Sequence, residues 1–297
     1  MTIKPKTIVL DIDGTLTLPK MMDPTQKVKE SLHKEIQSGN EVVIATGRPL
    51  HTAIPIGVNV GATPITLLTS NGNLTVTYPE RKVLAYHPLR RESCIPIVEY
   101  AVKQGMCAYV VLCDRNQVEK GEDDSNVRVS DYLSLLYEKE NKKIDIPPLN
   151  KNLFQQNDKF LQPASIERVK TMIDYDILNV HMHVINEEQT DKIIAEMKQF
   201  ENEEIVVKKS GACIIELFNP KVNKGVVLNE LNYQGLVVYM GDSENDIPGI
   251  EWAVQKKGFG VAMGNAFDNV KAVANHITSS VYDDGVAVAL EYINSLE

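Results

Sequence analysis

Short apolar runs alternate with amphipathic stretches near both ends of the chain. Five runs predict buried strands: 7–13, 41–47, 65–72, 235–241 and 258–263. Amphipathic patterns predict helices between them, at 24–38, 224–232, 246–254 and 284–296. The first of these helices ends at Gly39. Strands that are apolar along their whole length are typical of a parallel sheet covered on both faces.

The middle of the chain has a different pattern. Residues 74–88 alternate like a hairpin around Pro79. Helices are predicted near 90–104, 127–139, 165–173 and 187–200, and strands near 107–112, 178–185, 205–209 and 213–218. The polar, proline-containing stretch 141–163 has no clear periodicity. We therefore predict an α/β fold, with a Rossmann-like parallel-sheet core of residues 1–85 and 218–297 and an inserted α/β domain of residues 86–217.

Composition narrows the class of function. The 297 residues are 43% hydrophobic and 24% charged, which is typical of a globular protein. The formal net charge of −9 argues against a nucleic-acid partner, although a small phosphorylated substrate stays compatible because local cations decide its binding.

Targeting signals are absent from the sequence pattern. No apolar run approaches the roughly 20 residues that span a bilayer, and the first residues do not resemble a signal peptide. The four cysteines have no C-x-x-C spacing, which is typical of free thiols in a reducing compartment. We expect a cytoplasmic protein with no membrane partner, either a monomer or a small homo-oligomer.

Polar clusters follow three of the predicted parallel strands. They are Asp11 and Asp13 at the end of the first strand, after its apolar part 7–10, Thr46 and Gly47 after the apolar part 41–45 of the second, and Asp242, Asn245 and Asp246 after 235–240. Ligands bind beyond the carboxyl ends of strands in open parallel sheets. We therefore expect these residues to share one edge of the sheet, with Lys224 beginning a helix nearby.

The carboxylates suggest a metal and a nucleophile. Asp11 and Asp242 repel each other unless a cation lies between them, and Mg²⁺ fits because it takes few protein oxygens and leaves room for phosphate. Asp11 beside such a cation can act as a nucleophile, and Asp13 as a general acid and base.

The other polar residues suit a phosphate group. The Thr46 hydroxyl and the Gly47 amide can each donate a hydrogen bond to a phosphate oxygen, and Lys224 can supply a fixed positive charge. Phosphoryl transfer needs mainly positioning and charge stabilisation, which this set of groups provides.

Four segments, in this order, resemble the motifs of the haloacid dehalogenase superfamily of phosphatases. They are DIDGT at 11–15, ATGR at 45–48, Lys224 within NPKVNKG, and GDSEND at 241–246. VAMGNA (261–266) and DDGVA (283–287) further resemble the C-terminal signature of its Cof-type subfamily, in subclass IIB. The inserted region resembles the cap domain of that subfamily by position and size rather than by motif.

The resemblance implies a Mg²⁺-dependent phosphoric monoester hydrolase with a role for each of these residues. Asp11 would be the nucleophile that forms an aspartyl-phosphate, and Asp13 would be the general acid and base. The metal ligands would be Asp11, Asp242 and the backbone carbonyl of Asp13, with Asp246 as an indirect support of the metal. The phosphate-binding residues would be Thr46, Gly47, Lys224 and Asn245. The SNG at 70–72 would lie near this site. The cap would close over a small phosphorylated metabolite of the sugar phosphate, pyridoxal phosphate or FMN type.

Two other functions stay open at this level. A phosphomutase of the same fold would return the phosphoryl group to a sugar instead of to water. A non-catalytic sensor of phosphorylated metabolites would keep the fold without the reaction. The intact pair of Asp11 and Asp13 argues against the sensor.

Overall fold

The structure, a computed structural model, describes residues 5–18, 21, 23–62, 64–115, 131–135, 161–164, 166–184 and 186–296. The chain divides into two compact units, one of Met1–Tyr86 with Val222–Glu297 and the other of His87–Lys221. The division predicted from the sequence lies within a few residues of these limits. That the two units act as catalytic core and cap stays a prediction.

The elements of the described residues are numbered in chain order. The strands are β1 (Thr7–Leu10), β2 (Glu41–Ala45), β3 (Ile65–Thr69), β4 (Leu74–Tyr78), β5 (Val83–Tyr86), β6 (Cys107–Asp114), β7 (Asp131–Leu135), β8 (Leu161–Ala164), β9 (Tyr175–His183), β10 (Val206–Gly211), β11 (Ile214–Phe218), β12 (Val237–Gly241), β13 (Phe259–Ala262) and β14 (His276–Ile277). The α-helices are α1 (Gln26–Gln37), α2 (Leu50–Val60), α3 (Arg91–Lys103), α4 (Ile166–Thr171), α5 (Glu187–Met197), α6 (Lys224–Leu231), α7 (Ile247–Gln255), α8 (Asp268–Val273) and α9 (Gly285–Asn294).

The first unit contains a sheet in the strand order β14-β13-β12-β1-β2-β3-β4-β5. The strands from β14 to β3 are parallel, and β4 and β5 add an antiparallel hairpin at one edge. Every residue of β1, β3 and β12 is buried. Because successive side chains of a strand point to opposite faces, both faces of the sheet centre are covered, as the continuous apolar runs predict.

Helix boundaries in the first unit follow local capping chemistry. The Thr25 side chain accepts a hydrogen bond from the Val28 amide and so begins α1. The Asn223 side chain accepts one from the Val226 amide, which makes Lys224 the first residue of α6. Among the described residues, none of the helices is long and apolar enough to cross a membrane.

The second unit contains a mostly antiparallel sheet in the order β10-β11-β9-β6-β7-β8. The helices α3, α4 and α5 pack on one face of that sheet, because alternate residues of its central strands share one core with them. This core includes Ala108, Val110 and Leu112 of β6, Val180 and Met182 of β9, Ile97 and Val98 of α3, Val169 of α4 and Met197 of α5. Only the pair β7 and β8 is parallel within this sheet as described.

One predicted element is wrong. The helical pattern predicted near 127–139 contains the strand β7, Asp131–Leu135, which pairs antiparallel with β6. Pairing with a long central strand overrides a local pattern that also fits a helix. The rest of that predicted helix lies outside the described residues, as does 141–163 up to the beginning of β8.

Candidate active site

Three strands of the first unit end together and place the polar clusters at one edge. The parallel register sets Leu10 opposite Ile44 on one side and Met240 on the other. The Asp11 amide continues this ladder by donating to the Met240 carbonyl at 3.1 Å. The residues that follow β1, β2 and β12 therefore lie side by side at the carboxyl ends of the strands.

A buried ammonium group joins two of the carboxylates. The Nζ of Lys224 lies 2.7 Å from Oδ1 of Asp11 and 2.7 Å from Oδ1 of Asp246. Lys224 and Asp246 have no exposed surface, and Asp11 is almost completely buried. Burial disfavours the ammonium charge, but the carboxylates of Asp11 and Asp246 outweigh it, and the pKa of Lys224 is raised. The lysine is thus a fixed positive charge.

Asp246 has donors at both of its oxygens. Besides Lys224, the Tyr239 hydroxyl donates to Oδ1 at 2.7 Å. The amides of Asp242 and Ser243 donate to Oδ2 at 3.1 and 3.0 Å. Each carboxylate oxygen therefore accepts two hydrogen bonds, so Asp246 holds the loop after β12 in place and has little capacity left for direct metal binding.

Three carboxylates form a cluster of suitable size for a cation. One oxygen from each of Asp11, Asp242 and Asp246 lies within 4.8 Å of the other two. Asp246, which already accepts four hydrogen bonds, would contribute charge to this cluster and leave direct metal binding to the other two carboxylates. Asp242 also accepts from the Thr15 hydroxyl at 3.4 Å and the Asn265 amide at 3.3 Å. Hard carboxylate oxygens are the ligands that Mg²⁺ prefers, so the residues present fit the predicted ion.

Burial and the charge of Asp246 raise the pKa values of Asp242 and Asp11. Burial, followed by the charge of Asp246, raises the pKa of Asp242 from 3.8 to about 7. Burial and the same neighbour raise the pKa of Asp11 well above its usual range, against the opposing effect of Lys224. Burial and the charges of Asp246 and Asp11 raise the pKa of Tyr239, so its phenol is a neutral donor. A bound cation would favour the ionised carboxylates.

Gly14 is required for this geometry. Its φ of +80° lies in the left-handed region, and a Cβ built on it would lie 2.3 Å from Oδ2 of Asp242. The glycine therefore lets the loop after β1 approach the carboxylate of the loop after β12.

Asp13 lies at the exposed side of this edge and pairs with Arg48. Its side chain is 53% exposed. The Nε of Arg48 donates to Oδ2 at 2.8 Å and Nη2 donates to Oδ1 at 2.5 Å. Arg48 belongs to the ATGR segment, but nothing in the sequence pattern indicates this partner.

Thr46, Gly47 and Asn245 meet around Asn71. The Thr46 hydroxyl oxygen accepts from the Arg48 amide at 3.1 Å, and its backbone carbonyl accepts from the Asn71 amide at 3.0 Å. The Asn245 side chain donates to Oδ1 of Asn71 at 3.0 Å. A Cβ on Gly47 would lie 3.2 Å from that same oxygen. Asn71 thus links two predicted phosphate-binding segments. The sequence predicted that SNG at 70–72 lies near the site, but it did not predict this role.

Asn265 joins the C-terminal segments to the site. Its side-chain amide donates to the Gly14 carbonyl at 2.9 Å and to Asp242, while its Oδ1 accepts from the Val281 amide at 2.8 Å. The residue lies within VAMGNA, yet no chemical role followed from the sequence. The structure thus brings all the predicted site residues to one edge of the sheet, while their individual catalytic roles stay predictions.

Comparison with known proteins identifies the family. The model of the family described as haloacid dehalogenase-like hydrolase matches residues 8–290. The chain therefore belongs to this family, in its Cof-type branch, and the predicted family, fold class and enzyme class are confirmed.

Full-length relatives are named phosphatases. The chain is 26% identical over 302 residues to the 5-amino-6-(5-phospho-D-ribitylamino)uracil phosphatase YitU of Bacillus subtilis, covering 100% of both chains. It is 25% identical over 284 residues to the pyridoxal phosphate phosphatase YbhA of Escherichia coli, covering 95% of this chain and 96% of the relative. A haloacid dehalogenase-like hydrolase from Bacteroides thetaiotaomicron has the same fold, with a TM-score of 0.75, 23% identity, and coverage of 98% of this chain and 100% of that one.

Proposed function

We propose that this protein is a Mg²⁺-dependent phosphatase that hydrolyses a small phosphorylated metabolite through an aspartyl-phosphate on Asp11. The observation that carries the proposal is the Lys224 ammonium group, which bridges Asp11 and Asp246 beside the carboxylate of Asp242. This arrangement supplies a buried nucleophile, a fixed cation next to it, and oxygen ligands for a metal.

The metal would be held by Asp11, Asp242 and the backbone carbonyl of Asp13, while Asp246 fixes the loop that carries Asp242. When bound, Mg²⁺ supplies positive charge that reduces the repulsion between the nucleophile and the phosphate. Thr46, Gly47 and Lys224 would hold the phosphate oxygens, with Asn245 close by.

The reaction has two steps. An oxygen of Asp11 attacks phosphorus, the bond from phosphorus to the leaving oxygen breaks, and Asp13 donates a proton to that oxygen. Water then attacks the phosphorus of the aspartyl-phosphate while Asp13 takes a proton from the water. The bond between phosphorus and the Asp11 oxygen breaks, which releases inorganic phosphate and restores the Asp11 carboxylate. Arg48 donates to both oxygens of Asp13, so protonation of either oxygen would compete with this ion pair.

The relatives support a small substrate. The named substrates of YitU and YbhA are both small phosphorylated molecules. We therefore propose a substrate of the sugar phosphate, pyridoxal phosphate or FMN type.

The test is phosphate release from a panel of such compounds, with Mg²⁺ or with EDTA. We expect release that requires Mg²⁺ and falls by about a thousandfold or more in Asp11→Asn, because the nucleophile is lost. Asp23→Asn is the matched control, since Asp23 is an exposed carboxylate of the same unit that pairs with Lys29. Release that survives in EDTA, or in Asp11→Asn, would contradict the proposal.

A further inference from the structure

Tyr239 lies in the middle of β12, below the loop that carries Asp242 and Asp246. It is completely buried. Its hydroxyl donates at 2.7 Å to Oδ1 of Asp246, the same oxygen that accepts from Lys224 Nζ at 2.7 Å. A neutral phenol and an ammonium group therefore share one carboxylate oxygen.

The space for the phenol ring is provided by Gly249 in α7. A Cβ built on Gly249 would lie 2.2 Å from Cε2 of Tyr239 and 2.4 Å from its Cζ. These distances are far below van der Waals contact, so only glycine admits the ring in this position. The place of the hydroxyl under Asp246 is thus fixed by packing as well as by the hydrogen bond.

We propose that Tyr239 is a positioning residue, which holds Asp246 so that the Lys224 ammonium group stays midway between Asp246 and Asp11. This inference rests on the proposed function for its kinetic meaning, because Lys224 is there assigned to the phosphate. Tyr239 acts through Asp246 and Lys224 and has no contact with the reacting atoms in this assignment.

Tyr239 affects the position of Lys224 because both residues donate to Oδ1 of Asp246. With the phenol present, two donors share the negative charge of this oxygen. Without it, Lys224 is the remaining donor at Oδ1, so the ion pair with Asp246 tightens and the ammonium group moves away from Asp11. The other oxygen, Oδ2, keeps the amides of Asp242 and Ser243, so the loop with the predicted metal ligand should stay in place.

The kinetic test compares Tyr239→Phe with wild type on the best substrate of the panel. We expect KM and the inhibition constant of inorganic phosphate each to rise about threefold to thirtyfold, because a hydrogen bond to a charged group is lost. We expect kcat to change less, because phosphate charge is present in both the ground and transition states. The Mg²⁺ concentration for half-maximal activity should change less than about twofold.

Tyr233→Phe is the matched control. Tyr233 shares a side-chain hydrogen bond with Thr66 and lies near Glu41. These two residues stand at the amino ends of β3 and β2, so Tyr233 lies away from the site. Burial, followed by the charge of Glu41, raises the pKa of Tyr233. The control should match wild type in all three kinetic constants. Wild-type KM and phosphate inhibition in Tyr239→Phe would overturn the proposal.

A second measurement does not depend on activity. In metal-free protein labelled with ¹⁵N-lysine, Lys224 should give an ammonium resonance protected from exchange, because it is buried and ion-paired. We expect this resonance to shift in Tyr239→Phe and to stay in place in Tyr233→Phe. An unshifted or unprotected resonance would overturn the positioning role. If the wild type releases no phosphate from any compound, the proposed function fails, and this measurement alone decides the role of Tyr239.

Discussion

Replacing Asp242 with asparagine tests whether the carboxylate cluster is a source of instability that a cation relieves. Asp242 shares a space of 4.8 Å with the oxygens of Asp11 and Asp246. Burial and the charge of Asp246 raise its pKa from 3.8 to about 7. The folded protein therefore holds the proton of this carboxyl group more tightly than the unfolded chain does.

The size of the effect follows from the pKa. The pKa of Asp242 in the folded protein exceeds its ordinary value by 7 − 3.8 = 3.2. One pKa unit corresponds to about 1.36 kcal/mol, so the loss of folding stability on ionisation is at most about 4 kcal/mol. Solvent screening of a partly exposed group reduces this to about 1–3 kcal/mol. Because the folded-state pKa is the higher one, the wild type loses this stability as the pH rises from about 4 to about 7, and the loss is complete above that range. The amide that replaces the carboxyl group in Asp242→Asn does not titrate.

The assay is urea denaturation in EDTA at about pH 4.5, 6 and 8, for wild type and Asp242→Asn. We compare the free energies of unfolding of the two proteins at each pH. The value for the variant minus the value for the wild type should rise by about 1–3 kcal/mol from the lowest to the highest pH. A comparison across pH removes the pH-independent effect of changed hydrogen bonds with Thr15 and Asn265. Parallel pH curves for the two proteins would refute the reasoning.

Mg²⁺ provides the second half of this test. At about a hundredfold excess over its Kd at pH 8, Mg²⁺ should stabilise the wild type by about 2.7 kcal/mol, and Asp242→Asn by much less. Asp191→Asn is the control, because its side chain is 81% exposed in the second unit. Equal stabilisation of wild type and Asp242→Asn would show that Asp242 is not a ligand.

Two further substitutions test a hydrogen-bond network and a close packing contact in the first unit. Glu35→Gln should lower the free energy of unfolding by about 2–4 kcal/mol, because Glu35 accepts from Asn40 at 2.7 Å and Asn294 at 2.6 Å, and a new amide would face one of these donors. Full wild-type stability in urea would contradict that network. Gly249→Ala should cost about 1–3 kcal/mol by overpacking against Tyr239, and should cost less in a Tyr239→Ala background. Additive effects of these two changes would show that the ring does not fill the space beside Gly249.

The fold was predictable where burial imposes one pattern. The strands β1, β3 and β12 are covered on both faces, so only continuous apolar runs satisfy them. The prediction failed at β7, where residues 131–135 carry a pattern that fits a helix as well as a strand, and pairing with β6 decides between them. That pairing partner is distant in sequence and leaves no local signal.

The site was predictable only as far as strand ends and motifs extend. The parallel register places the loops after β1, β2 and β12 side by side, which brings Asp11, Thr46 and Asp242 together. The roles of Arg48 and Asn265 depend on hydrogen bonds to partners 35 and 251 residues away. Tyr239 looks like an ordinary buried strand residue in the sequence. Its role depends on where its hydroxyl points and on the absence of a side chain at Gly249.

The charge of the buried cluster explains why these features belong together. Asp11, Asp242 and Asp246 carry −3 when ionised and Lys224 carries +1, so the cluster has a net charge of −3 + 1 = −2. A divalent cation would neutralise this charge, whereas Lys224 alone cannot, and burying an uncompensated charge is costly. The net charge of this cluster also affects substrate binding. A phosphate dianion can approach Asp11 only if the negative charge there is already neutralised, so cation binding and phosphate binding should be coupled. Without the cation, the carboxylate cluster should therefore disfavour both the fold and the ligand.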